Sequence, residues 1–146
     1  MSSSKVLPAP RTESRALNIS LWAAQIFIAV SFCVAGAMKL AMPINQLAGI
    51  WPWSGELPTA FVRLLGVIDF AGGAGVLLPS LTRVKPGLTV LAALGCVLLQ
   101  LCAMVFHGSR GESAVLPVNI VFMAVCGFIL WGRWKGIPIH SRTSGR

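Results

Sequence analysis

Four long apolar runs constrain this chain of 146 residues more than any other feature. They lie at residues 16–38, 57–78, 87–106 and 114–132, and each is 19 to 23 residues long. A helix of about 20 residues crosses the ~30 Å hydrocarbon core of a bilayer, so each run can span a membrane. The pattern predicts an all-α integral membrane protein, an antiparallel bundle of four helices at about residues 16–40, 57–78, 87–107 and 114–134.

The composition leaves little sequence for anything else. Hydrophobic residues make up 55% of the chain and charged residues 11%, against roughly 25% charged in soluble proteins. We expect disordered cytoplasmic tails at residues 1–15 and 135–146, and the short connections could not bury a core of their own. Any functional site must therefore lie in the membrane domain at residues 16–134, or be supplied by a partner.

The basic residues that give the formal charge of +8 are unevenly distributed along the chain, and their distribution indicates its orientation in the membrane. Eight of the 12 lysines and arginines lie in the two tails and the connection at residues 79–86, and a ninth, Arg133, lies at the same side at the end of the fourth helix. This asymmetry predicts both termini in the cytoplasm. The first run exceeds the 7–15 apolar residues that are typical of a signal peptide, so we expect it to be retained in a multi-pass protein of the cytoplasmic membrane. The tails contain no aromatic residue and no known nucleic-acid-binding motif, which argues against nucleic-acid binding.

The segment between the first two runs contains Trp51 and Trp53 beside the predicted membrane surface. Such tryptophans are typical of an interfacial aromatic belt. Ile44, Leu47 and Ile50 have the spacing of the apolar face of a short surface helix.

Charged residues within the second run are its most informative feature. Arg63 and Asp69 are six residues apart, which places them roughly 120° apart around a helix and makes a pair between them unfavourable. Asp69 shares a face with Gly66 and Gly73, so its carboxylate should point at a neighbouring helix. We expect Lys39 or Arg63 to be its counter-ion. The alternative is a neutral acid that donates a hydrogen bond to a ligand.

The polar residues of all four helices fall at similar depths near the predicted outer surface. Helical rise places four of them in an outer polar layer and two beneath it. The outer four could instead be snorkelling side chains, helix ends or interhelical hydrogen-bonding groups, and Gln100 could have this last role too. The predicted ligand-binding or polar-core residues are Lys39, Arg63, His107 and Asn119, with Asp69 and Gln100 below them.

The sequence predicts no bound metal and no cofactor, and it leaves a quinone open as a possible ligand. Asp69 and His107 are too few to hold zinc or iron, and His140 lies on the opposite side, which excludes a haem with two histidine ligands from this chain. The cysteines lie within apolar runs and form no Cys-x-x-Cys pair, so we interpret them as small buried hydrophobes: Cys33, Cys96, Cys102 and Cys126.

Two motifs resemble the DoxX-like family of small four-helix membrane proteins. One is Gly-Ala-Met-Lys-Leu at residues 36–40, and the other is Arg-Leu-Leu-Gly-Val-Ile-Asp at residues 63–69. The glycine-rich continuation of the second helix and His107 at the end of the third are also similar, and the resemblance covers roughly residues 18–132. The family more often has Glu where this chain has Asp69, which shortens the acidic side chain by one methylene.

The resemblance implies an antiparallel bundle in the cytoplasmic membrane. It also implies an association with redox or oxidative-stress complexes, since some relatives are linked to thiosulfate:quinone oxidoreductase. The residues that match the family are Lys39, Arg63, Asp69 and His107.

Two functions are compatible with the sequence. We favour a non-catalytic subunit or organiser that recruits redox partners. The alternative is a binder of a quinone or another small amphipathic molecule in the outer polar pocket, with proton exchange at Asp69 or His107. If the chain takes part in catalysis, we expect it to be a subunit of a quinone-linked oxidoreductase. The sequence leaves homo-oligomerisation open.

Overall fold

The computed structural model describes the backbone of residues 12–142 and the side chains of residues 15–142. The tail predictions for residues 1–11 and 143–146 lie outside this range. Within it, the chain forms α1 (Thr12–Ala41), α2 (Ile44–Ile50), α3 (Trp53–Glu56), α4 (Thr59–Thr82), α5 (Gly87–Ser109) and α6 (Leu116–Trp131). A 3₁₀ turn at Ser113–Val115 precedes α6, and a π-helical turn at Gly132–Gly136 follows it.

Four of the described helices are long and apolar enough to cross a membrane. Their spans are Arg15–Ala41, Thr59–Thr82, Gly87–Ser109 and Ser113–Gly136. The prediction of an all-helical membrane protein with four spanning helices is therefore confirmed.

The helix limits differ from the expected ones at the polar ends of the runs. Helix α1 begins at Thr12, within the segment expected to be a tail, and the π-helical turn extends the last span to Gly136. Helix α4 continues through Pro79 to Thr82 because a proline removes one helical hydrogen bond without obliging the helix to end. The chain leaves α4 at Arg83, whose φ of 58° is left-handed.

The four long helices form a ring in which α1 packs on α4, α4 on α5, α5 on α6, and α6 on α1. Side chains from all four helices meet in the central core, which includes Ile28, Val76, Ala93 and Ile129. Many large apolar side chains point outward and stay exposed, as expected for a surface that contacts lipid.

The contact between α1 and α4 depends on glycine. A Cβ atom at Gly36 would lie 2.7 Å from the backbone oxygen of Gly66, and one at Gly73 would lie 2.9 Å from the backbone oxygen of Ala29. Neither distance is tolerable, so only hydrogen at these positions lets the two backbones touch. Gly72 and Gly75 give similar room to side chains of α5, namely Cys96 and Ala92. The glycine seam of α4 thus faces both of its neighbours.

A larger residue at Gly36 should separate α1 from α4. We expect Gly36→Leu to lower the free energy of unfolding by about 1–3 kcal/mol or more, since the clash is with backbone. The measurement is thermal unfolding of the purified protein in detergent. The matched control is Gly95→Leu, because a Cβ atom at Gly95 meets nothing within 4 Å. Equal losses in the two variants would contradict this account of the contact.

Candidate functional site

A buried ion pair joins α1 to α4 near one end of the bundle. The Lys39 Nζ atom lies 2.5 Å from the Asp69 Oδ2 atom, and both residues are buried. Lys39 reaches this position beside Gly66, where a Cβ atom would lie 2.9 Å from the Lys39 Cβ. Of the two counter-ions expected for Asp69, the structure therefore selects Lys39.

Arg63 has a different role. Its guanidinium donates hydrogen bonds to the backbone oxygens of Lys39 and Met42, the latter at 2.8 Å. The last carbonyls of a helix lack partners within the helix, so Arg63 satisfies groups at the end of α1. Arg63 is not among the residues that line the cavity between the four long helices.

Trp51 and Trp53 cover the Lys39 ammonium group. The Nζ atom lies 4.7 Å from the ring centroid of Trp51 and 5.9 Å from that of Trp53, which are cation–π distances. The Trp53 ring also packs edge-on against His107, with centroids 6.4 Å apart. The sequence predicted only an interfacial belt for these tryptophans. In the structure they also contact Lys39 and His107, and the segment that carries them covers the end of the bundle. Of the apolar residues expected on the short helix α2, Leu47 is buried and Ile50 is half exposed.

His107 is held by an acidic residue that the sequence analysis did not select. Its Nδ1 atom lies 2.5 Å from a carboxylate oxygen of Glu112, whose other oxygen accepts a hydrogen bond from Arg110 at 2.7 Å. These bonds, the one to His107 above all, lower the pKa of Glu112 below its usual range. Arg110 also bonds to Glu56 at 2.6 Å, which ties the turn before α6 to α3. A carboxylate at Nδ1 orients the imidazole and leaves Nε2 available.

Five of the six predicted site residues line one cavity of about 500 Å³ between the four long helices. Most of its wall is apolar, with Phe106 and Phe122 among the lining residues, and Trp51 and Trp53 also contribute. Exposed side chains such as Val34 and Val118 line it too, so the cavity reaches the surface of the protein. The polar lining residues that the sequence predicted are Lys39, Asp69, Gln100, His107 and Asn119.

One polar group in this cavity lacks a partner. The Asn119 Nδ2 atom is buried, and among the described residues nothing accepts a hydrogen bond from it. A buried donor without an acceptor is costly, which makes this amide available to a ligand oxygen. Within residues 12–142, no three His, Cys, Asp or Glu side chains converge as metal ligands would.

The profile of the DoxX-like family matches residues 23–129 of the chain. The chain belongs to the DoxX-like family. The matched part begins in α1 and ends in α6, and it contains all six predicted site residues together with Trp51, Trp53 and Glu112. No curated protein and no solved structure matches this DoxX-like protein.

Loss of one member of the ion pair should destabilise this DoxX-like protein more than loss of both. Asp69→Asn leaves the Lys39 ammonium buried without a counter-ion, and breaking a buried pair in this way costs about 3–5 kcal/mol. Combining it with Lys39→Met should restore part of that loss, because both charges are then gone. Thermal unfolding of the two single variants and the double variant measures the coupling. Strictly additive losses would show that the two charges do not interact.

Glu112 should make stability depend on acid pH. Since its pKa is lower in the folded protein, its contribution is complete above the ordinary pKa of glutamate and is lost as the pH falls through the lower, folded value. The wild type should therefore melt above Glu112→Gln at neutral pH, and the difference should shrink towards zero in acid. A difference that stays constant with pH would contradict this assignment.

Proposed function

We propose that the cavity binds a small amphipathic molecule with a flat ring or short apolar body and a polar head, and that a quinone is the first ligand to test. The observation that carries this proposal is the cavity of about 500 Å³ that brings five polar side chains together inside an otherwise apolar wall. Ligand pockets typically have volumes of about 300–1,000 Å³, with mostly apolar walls and a few convergent polar groups.

The polar groups suit a ligand with carbonyl or hydroxyl oxygens. Lys39 and the unpartnered amide of Asn119 can donate to such an oxygen, while Asp69 can accept from a hydroxyl. The ammonium and carboxylate of the ion pair cancel in charge, so a neutral ligand is favoured over a free ion. Trp51 and Trp53 offer ring faces against which a planar molecule can pack.

Asp69 and His107 are the groups in the cavity that could exchange a proton with such a ligand. His107 is oriented for this by Glu112, and its Nε2 atom is not engaged by that bond. Electrons would have to come from another protein. In this proposal the chain is the membrane-bound quinone site of a redox complex, and the function as a non-catalytic organiser stays a prediction that copurification from native membranes tests.

The proposed orientation places this cavity in the outer half of the cytoplasmic membrane. An antiparallel bundle with both termini in the cytoplasm leaves the excess of lysine and arginine on the cytoplasmic side, as the positive-inside rule requires. Accessibility labelling of single cysteines near each end, in a background that lacks the native ones, tests the orientation independently of any ligand.

A cavity-filling substitution tests ligand binding without removing a polar group. Ala35 lines the cavity on α1, and we expect Ala35→Phe to weaken binding of decylubiquinone at least about tenfold, or about 1.4 kcal/mol of binding free energy. Quenching of tryptophan fluorescence measures it, since Trp51 and Trp53 line the same space. The matched control is Ala37→Phe, because Ala37 is exposed two residues further along.

Binding that is equal in both alanine variants would mean that the quinone does not occupy the cavity. If decanoic acid competes with decylubiquinone as well as a second quinone does, the site takes amphipathic molecules generally and the quinone assignment is wrong. His107→Gln completes the series. Loss of binding at unchanged stability would support a direct role of the imidazole at the ligand.

A further inference from the structure

A second polar cluster lies at the opposite end of the bundle, and the proposed function does not use it. At its centre is Arg133, which is 4% exposed and lies in the π-helical turn after α6. The wider turn is closed by a hydrogen bond of 2.7 Å from the Ile137 N–H group to the Gly132 oxygen. This turn directs the Arg133 guanidinium into the protein. From the sequence, Arg133 indicated only the orientation of the chain in the membrane.

The hydrogen-bond partners of Arg133 are neutral. Its Nε atom donates to the Gln25 Oε1 atom at 2.7 Å, and its Nη1 atom donates to the Asn18 side chain at 2.9 Å and to the Ile137 oxygen at 3.3 Å. Its guanidinium carbon lies 5.1 Å from the ring centroid of Trp22. The Nη2 atom is buried, and among the described residues it has no hydrogen-bond partner.

No acidic side chain among residues 15–142 pairs with this buried positive charge. Among residues 15–142, the acidic side chains are Glu56, Asp69 and Glu112, and each bonds to a basic group at the other end of the bundle. A buried charge is rarely retained unless an opposite charge or a ligand compensates it. The hydrogen bonds to Gln25 and Asn18 hold the guanidinium in place but do not neutralise it.

A small cavity of about 210 Å³ adjoins Arg133. Gly87 and Val90, from the first turn of α5, line it opposite the arginine, and the exposed Trp134 lines it too. The remaining lining residues are Ser80, Pro86, Pro138 and Ile139. The segment after the π-helical turn runs back, and its Arg142 N–H group donates to the Arg83 oxygen at 3.2 Å. The positive end of the α5 helix dipole lies at this wall and favours an anion. The Leu88 and Thr89 N–H groups already donate to the Lys85 and Pro86 oxygens, so the dipole and Arg133 supply the attraction.

We propose that this cavity is an anion site for a phosphate group, with Arg133 as its charge partner and the start of α5 as its second wall. A phosphate carried by an anionic lipid headgroup and free inorganic phosphate present the same chemistry to the site. The level of the cavity agrees with a headgroup, because Trp134 and Lys135 beside it are of the types found at a membrane–water interface. The site differs from a general attraction of basic tails to lipid in that one buried guanidinium supplies the charge.

Native mass spectrometry of the full-length protein with phosphatidylglycerol or phosphatidylcholine tests the lipid source. We expect the wild type to retain phosphatidylglycerol, and Arg133→Gln to lower the retained fraction at least about tenfold, as loss of a buried charge partner does. The matched control is Lys135→Gln, which removes the same charge from an exposed position two residues away. Lys135→Gln should retain the lipid as the wild type does.

Because Arg133→Gln also removes structural hydrogen bonds, a second pair of variants keeps the test independent of folding. A Cβ atom at Gly87 meets nothing within 4 Å, so Gly87→Glu can place a carboxylate in the cavity as an internal counter-ion. We expect this variant to melt no lower than its neutral partner Gly87→Gln and to lose phosphatidylglycerol, while Gly87→Gln retains it.

Melting in inorganic phosphate against chloride at equal ionic strength tests the other source. Stabilisation by phosphate that Arg133→Gln and Gly87→Glu abolish, without lipid retention, would support the same site filled by free phosphate. The proposal is overturned if neither probe binds the wild type, or if Lys135→Gln loses either probe as strongly as Arg133→Gln does. It is also overturned if Gly87→Glu leaves binding unchanged.

Discussion

The ion pair between Lys39 and Asp69 is the interaction on which the rest of the site depends. Neither charge is tolerated alone in an apolar bundle, so α1 and α4 have to meet where the two residues lie. The glycines of α1 and α4 make that meeting possible by bringing the backbones together. Arg63 then satisfies the end of α1, and Trp51 and Trp53 close over the ammonium group. The polar wall of the large cavity follows from this sequence of constraints.

The two ends of the bundle handle buried charge in different ways. At one end, an ammonium and a carboxylate neutralise each other, and His107 is held by a nearby glutamate. At the other end, neutral amides and a carbonyl surround a single guanidinium. The first arrangement suits an uncharged ligand and the second suits an anion. The contrast between the two proposed sites therefore comes from the placement of the three acidic side chains among residues 15–142.

Much of the fold could be predicted because hydropathy and helix length are local properties. The 3.6-residue period also showed correctly that Asp69 must point at another helix. The choice between Lys39 and Arg63 could not be made, because both lie near the right depth. The bonds of Arg63 to the Lys39 and Met42 backbone oxygens depend on how the end of α1 packs against α4, which the sequence pattern does not record. The contacts of Trp53 and Glu112 with His107 depend on how separate turns fold together, which no local pattern records. Arg133 was placed at the right end of its helix, but a π-helical turn rotates it inward.

Gly66 lies against the Cβ atom of Lys39, and this contact limits the substitutions that the family can accept. Any side chain added at position 66 would push the lysine away from Asp69, so helix packing and charge compensation cannot change separately there. Positions 39, 66 and 69 should consequently vary as a set among homologues. A descendant that loses the acid should be free to lose the glycine as well, whereas one that keeps the acid should keep all three.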